Sequence, residues 1–136
     1  MCLILTVHLA ESDAARASEI CRTADIPTCS EKRRLFSFAR RPSGFIQIPG
    51  PAGGCGCSFL ADSADWSAPT WDMIPSTVPR LAGILRAIRQ QTSGGFSFEA
   101  LWVGESPTEE RRVTIDELAR LAEESKLGTK TRYLVV

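Results

Sequence analysis

The sequence has one histidine, no net charge and no apolar run of membrane-spanning length. Its 16 lysine and arginine residues balance 16 aspartate and glutamate residues, which argues against a general polyanion binder. A membrane-spanning helix needs about 20 apolar residues. The apolar start, 1–7, is followed at once by Glu11 and Asp13, so we interpret it as a strand rather than a signal peptide. We therefore expect a cytoplasmic protein without membrane contact.

Several motifs with recognisable chemistry are also missing. The chain has no Walker A loop, no Rossmann glycine fingerprint and no Cys-x-x-Cys redox motif. An odd number of irregularly spaced cysteines does not fit a disulfide framework, and we expect these thiols to be reduced. The five cysteines are Cys2, Cys21, Cys29, Cys55 and Cys57.

What the sequence does contain is the patterning of a single α+β domain over 1–136. The length and an apolar fraction of 43% suffice for one hydrophobic core. The element order predicts a two-layer, ferredoxin-like βαββαβ core with a mainly antiparallel sheet and an added C-terminal helix and strand. We predict strands at 1–9, 31–41, 45–48, 55–61, 96–104 and 133–136, and helices that begin near Ser12, Ser76 or Thr77, and Thr114.

The third helix has the clearest boundary signals. Thr114 and Glu117 form a capping box, and Gly128 is placed where a left-handed C-cap residue belongs. The charged run 109–112 before it is interpreted as a solvated linker. The segment 62–75 has no periodicity and is predicted to be a long packed loop.

The motif Gly-Gly-Cys-Gly-Cys at 53–57 is the main candidate for chemistry. If Cys55 begins a strand, Cys55 and Cys57 face the same side of it. A third thiol, such as Cys29 or Cys21, would complete a set suited to zinc or another thiophilic metal. The alternative is that both residues are small side chains in tight packing and that the glycines serve a turn or bulge.

A second candidate site surrounds the single histidine. His8 lies at the end of the first predicted strand, and Ser12 follows at a predicted helix start, a combination that suits an anionic ligand. Arg40 would add positive charge if the fold brought it near. The alternative is that His8 only hydrogen-bonds neighbouring backbone.

Two further patterns are weaker. The segment 32–41 interleaves five cations with Phe36 and Phe38, as an RNA-binding strand would, but it lacks the RNP1 pattern, and we expect no nucleic-acid partner. An acidic loop with tryptophans would suit a cation or sugar, although its spacing is not that of an EF-hand. Its residues are Asp62, Asp65, Trp66, Trp71 and Asp72.

These observations favour an accessory domain that binds a small molecule or a protein partner, with a homodimer as one form of such binding. No coherent catalytic set is evident, and whether the chain is an enzyme is left open. The alternative hypothesis is a metal-binding or thiol-redox protein that uses Cys55 and Cys57.

Overall fold

A sheet and three helices are seen in the computed structural model, which describes residues 3–23, 44–48, 50, 56–61 and 69–136. The strands are β1 (Leu3–His8), β2 (Phe45–Ile48), β3 (Phe96–Trp102), β4 (Glu109–Val113) and β5 (Thr131–Val135). The helices are α1 (Glu11–Thr23), α2 (Val78–Gln91) and α3 (Ile115–Glu123), with short 3₁₀ helices at Gly56–Phe59 and Pro75–Thr77. The predicted mixed α+β class is confirmed.

The five strands form one open, mostly antiparallel sheet in the order β2-β1-β3-β5-β4. β1 is antiparallel to β2 and β3, and β3 is antiparallel to β5. Only β4 and β5 are parallel, and α3 connects them, as a parallel pair requires a crossover. The ferredoxin-like order is not confirmed. The C-terminal strand, β5, lies between β3 and β4.

The two faces of the sheet differ in character. Side chains alternate along a strand, so Leu3, Leu5 and Val7 of β1 point into the apolar core, which also contains Leu81 of α2 and Leu118 of α3. α2 contacts both α1 and α3, so the helices form one layer over this face. The intervening residues, which include Thr6 and His8, belong to the second face.

The start of α3 is as predicted, but its end is not. The Thr114 hydroxyl accepts a hydrogen bond from the Glu117 amide at 3.2 Å, and the Glu117 carboxylate accepts one from the Thr114 amide at 2.7 Å. At the C-terminus Ser125, rather than Gly128, takes the positive φ, at 53°. A Cβ on Gly128 would lie 2.6 Å from the Thr131 hydroxyl, so this glycine is required for close packing.

The strand predicted over 55–61 is wrong for the residues that are described. Gly56–Phe59 is a 3₁₀ helix, and Leu60 makes only an isolated bridge with Met73. Phe59 and Leu60 are consecutive and both buried, which a strand with one buried face does not allow. A Cβ on Gly56 would lie 3.0 Å from Leu5 Cγ, so this turn packs directly against β1.

The linker predicted at 109–112 is also wrong, because these residues belong to β4. β4 lies at the edge of the sheet, and only Val113 among its residues is buried. The apolar alternation that identifies a half-buried strand is therefore absent from it. The strand predicted over 31–41 lies outside the described residues. Among the described helices, none has the length and apolar composition needed to cross a bilayer.

Candidate functional site

One polar residue from each strand forms a continuous row across the second face of the sheet. Each member lies directly opposite the next in the strand register. The row starts from buried positions on β2, β1 and β3 and reaches exposed side chains on β5 and β4. Its members, which we call the polar row, are Gln47, Thr6, Glu99, Arg132 and Glu110.

Glu99 is the central residue of the polar row, and its side chain is only 3% exposed. Arg132 Nε donates a hydrogen bond to Glu99 Oε1 at 2.6 Å. His8 Nε2 lies 3.3 Å from Glu99 Oε2, reaching it diagonally from the position two residues beyond Thr6. Both carboxylate oxygens therefore have a partner on a neighbouring strand, as a buried charge requires.

These partners determine the ionisation of Glu99. Burial by itself would raise the pKa of the carboxyl group, because it disfavours the charged form. The hydrogen bonds and charges of His8 and Arg132 outweigh burial and lower the pKa of Glu99 to about 2. Glu99 is consequently a carboxylate at neutral pH, and it acts as an acceptor rather than a proton donor.

Arg132 connects the buried part of the polar row to solvent. Its side chain is 40% exposed, and its Nη1 lies 3.8 Å from Glu110 Oε2. The short bond through Nε fixes the plane of the guanidinium group, and the neighbour of Nη1 is the carboxylate of the exposed Glu110. A planar guanidinium held in this way is suited to bind a carboxylate or a phosphate group.

The residues predicted around the histidine have different outcomes. His8 ends β1 as expected. α1 begins at Glu11, so Ser12 lies in its first turn and is exposed. That turn also carries Asp13, and acidic side chains there oppose an anionic ligand at the helix N-terminus. Arg40 lies outside the described residues. Among the described residues, His8 contacts Glu99 and is linked through it to Arg132.

Of the three predicted thiol ligands, only Cys57 is described. It is half-buried in the 3₁₀ helix, and its Sγ accepts a hydrogen bond from the Leu3 amide at 3.2 Å. Because Cys57 does not lie in a strand, alternation no longer places Cys55 on its side. Cys55 and Cys29 lie outside the described residues. Within the described ranges, no group of three His, Cys, Asp or Glu residues could hold a metal ion.

The two weaker patterns are only partly covered. Trp71 is 2% exposed and belongs to the core, while Asp72 beside it is exposed. The other members of the acidic loop, and the whole basic segment 32–41, fall outside the part of the chain that the structure describes. The described residues Trp71 and Asp72 therefore do not test the predicted cation or sugar site. They also do not test the expectation that the chain has no nucleic-acid partner.

Neither Glu99 nor Arg132 is among the residues predicted from the sequence, although each has a recognisable signal. Glu99 is the one charged residue in the strand Phe-Ser-Phe-Glu-Ala-Leu-Trp. Arg132 likewise interrupts the final strand, Thr-Arg-Tyr-Leu-Val. Opposite charges in two apolar strands indicate pairing, but the sequence does not show that β3 and β5 are neighbours.

Comparisons with protein-family models, with curated proteins and with solved structures found no match to this chain. No family thus assigns a role to the polar row. Its most distinctive feature is the cluster of His8, Glu99 and Arg132, which joins three strands through one buried carboxylate.

Proposed function

We propose that this chain is an accessory domain that binds a small anionic ligand through Arg132, where the ligand takes the place of the 3.8 Å contact between Arg132 Nη1 and the exposed Glu110 carboxylate. Arg132 is the principal contact, and His8 contacts the other oxygen of the same carboxylate from β1, on the opposite side of β3. The observation that supports this most directly is the Arg132 side chain, which is hydrogen-bonded through Nε to buried Glu99 and is nevertheless 40% exposed. A carboxylate or phosphate group would complete its hydrogen bonding.

The energetics favour a functional role for the cluster. Removing charged groups from water costs several kcal/mol per ion, and apolar replacements of buried ion pairs are often as stable. A cluster with a strongly shifted carboxyl pKa is therefore a candidate functional site. Glu99 fixes the guanidinium of Arg132 before any ligand arrives, which reduces the entropy lost on binding.

The same geometry supports binding better than proton transfer. Glu99 is ionised, buried and in contact with two donors, so it is not positioned to exchange a proton with a ligand. General acid–base catalysis requires a group whose pKa lies near the working pH. Glu99 consequently acts as a positioning residue for Arg132.

A thermal-shift measurement tests this proposal. Inorganic phosphate and succinate are titrated into the wild type, Arg132→Met and the control Arg86→Met, which removes an exposed arginine of α2. We expect saturable stabilisation of the wild type and the control by at least one anion. A ligand present at 100 times its Kd adds about 2.7 kcal/mol to the free energy of unfolding. An equal shift in Arg132→Met, or no saturable shift in the wild type, would contradict the proposal.

A thiol or zinc site is a second candidate, supported by one observation. The Leu3 amide donates to Cys57 Sγ at 3.2 Å, and hydrogen bonds to sulfur are common around metal-bound thiolates. The proposed set is Cys55, Cys57 and Cys29, with reduced thiols in a cytoplasmic location. Native mass spectrometry of anaerobically purified protein should show a metal that Cys57→Ser loses. A metal-free mass with five free thiols would refute this candidate.

A further inference from the structure

Among the described strands, β4 forms the outer edge of the sheet. β4 pairs with β5, and within the described ranges no other strand lies on its far side. Residues 109–112 are all exposed. An edge of this kind presents unpaired backbone N–H and C=O groups that another strand can join. The segment Glu-Glu-Arg-Arg carries two charges of each sign there.

The hydrogen bonds to β5 show which backbone groups are available. Glu109 donates its amide to the Lys130 carbonyl at 3.2 Å, and Val113 accepts from the Val136 amide at 3.1 Å. Backbone direction alternates along a strand, so residues 109, 111 and 113 bond to β5. Glu110 and Arg112 therefore direct their N–H and C=O groups outward.

The charges on these two residues select one register for a second copy of the chain. In an antiparallel pair of identical strands, opposite residues lie on the same face. When Glu110 lies opposite Arg112 of the second copy, both outward-facing residues of each copy exchange backbone bonds and form two ion pairs. The smallest shift that keeps outward-facing residues opposite each other is two residues. In one direction it places Glu110 opposite Glu110, and in the other Arg112 opposite Arg112, and like charges in these positions are destabilising.

We propose that β4 is a self-association edge, where two copies pair antiparallel around a two-fold axis at Arg111 to form a continuous sheet. The Arg111 guanidinium lies over the Tyr133 ring of its own copy, 6.0 Å from the ring centroid. Tyr133 is on β5, so this contact draws the cation inward and away from its symmetry mate. The partner is a second copy because the charge pattern complements itself.

The interface is small. Each copy contributes the five residues of β4, and a pairing of this size buries less than the roughly 1,600 Å² of a standard stable interface. We therefore expect a weak dimer, with a dissociation constant in the micromolar range or above. Glu110 also belongs to the polar row, but the proposal does not rest on ligand binding, because mass in solution is measured without ligand.

Sedimentation equilibrium over increasing protein concentration tests the proposal. The wild type should approach twice its 14.8 kDa mass. Glu110→Arg and Arg112→Glu should each stay monomeric, because each places like charges opposite one another. An equimolar mixture of the two variants should recover the dimer, since every opposing pair is then complementary. Glu123→Arg, an exposed reversal on α3, is the matched control and should dimerise.

Three results would overturn it. These are a wild type that is monomeric at every concentration, single variants that dimerise as well as the wild type, and a mixture that fails to associate. Circular dichroism of each variant checks that the fold is retained. Recovery in the mixture also separates lost pairing from lost folding, and it shows that the partner is this chain rather than an unrelated strand.

Discussion

Arg132 and Glu99 lie directly opposite each other on β5 and β3, joined by a 2.6 Å hydrogen bond from Nε to Oε1. The pair couples a buried anion to a half-exposed cation across the middle of the sheet. His8 occupies the other oxygen of Glu99 from β1. Three strands that are distant in sequence therefore meet at one carboxylate, which makes this group sensitive to substitution, to pH and to ligand.

Replacement of Glu99 is expected to be costly. Glu99→Gln keeps the size of the side chain but leaves Arg132 and His8 without their anion. Breaking a fully buried ion pair from one side costs about 3–5 kcal/mol, and because the Arg132 left behind is 40% exposed, we expect a loss at the lower end of that range. Urea unfolding should show this loss. Glu124→Gln, which removes an exposed partner of Lys126, should change the unfolding free energy by less than about 1 kcal/mol. Equal effects of the two substitutions would contradict the prediction.

The stability should also depend on pH through Glu99. Its pKa falls from 4.5 to about 2 in the folded protein, so protons bind the unfolded state more tightly. Stabilisation by Glu99 is complete above pH 4.5 and is lost as the pH falls toward 2. The whole effect amounts to roughly 3 kcal/mol.

Unfolding free energies of wild type and Glu99→Gln, measured across the acid range, isolate this contribution from the other carboxyl groups. The difference between the two proteins should shrink as the pH falls. A difference that stays constant from neutral pH down to acid unfolding would show that Glu99 does not titrate in this way.

A pair of glycine substitutions tests the sheet and helix geometry. A Cβ on Gly95 would clash with the Val135 carbonyl oxygen, a backbone atom that cannot turn away. Gly83 in α2 has nothing within 4 Å of a Cβ. Gly95→Ala should therefore destabilise the protein, whereas Gly83→Ala should stabilise it by up to about 1 kcal/mol. Thermal unfolding distinguishes them, and the prediction fails if Gly95→Ala is neutral.

The capping box of α3 supplies a local test. Thr114→Ala removes the hydroxyl that accepts from the Glu117 amide at 3.2 Å. Loss of such a cap costs about 1 kcal/mol. Thr108→Ala, an exposed threonine before β4, is the control and should be nearly neutral. Hydrogen exchange at the first turn of α3 should accelerate in Thr114→Ala alone.

Local signals in the sequence were sufficient for much of the fold. The alternation in β1 and the capping box at Thr114 each determine an element through residues close in the chain. The 3₁₀ helix at Gly56–Phe59 was missed because its form depends on packing against β1. β4 was missed because an exposed edge strand has no apolar periodicity.

The candidate site was less predictable for the same reason. His8 was identified as the single histidine at the end of a strand. Its charged partners come from β3 and β5, which lie about 90 residues or more further along the chain. Their pairing depends on the order of strands in the sheet, and the ferredoxin-like prediction, which is not confirmed, left open which strand the added C-terminal strand pairs with. The sequence therefore lacks a signal for which distant strands are neighbours and for which of their residues lie opposite each other.

The most direct test of the ligand-binding proposal is an amide chemical-shift titration of the wild type with inorganic phosphate and succinate, compared with Arg132→Met. We predict saturable shifts that cluster on β1, β3 and β5 around His8, Glu99 and Arg132, and their loss in the variant. Shifts confined to other elements, or an identical titration of Arg132→Met, would contradict the proposal that the polar row binds an anion.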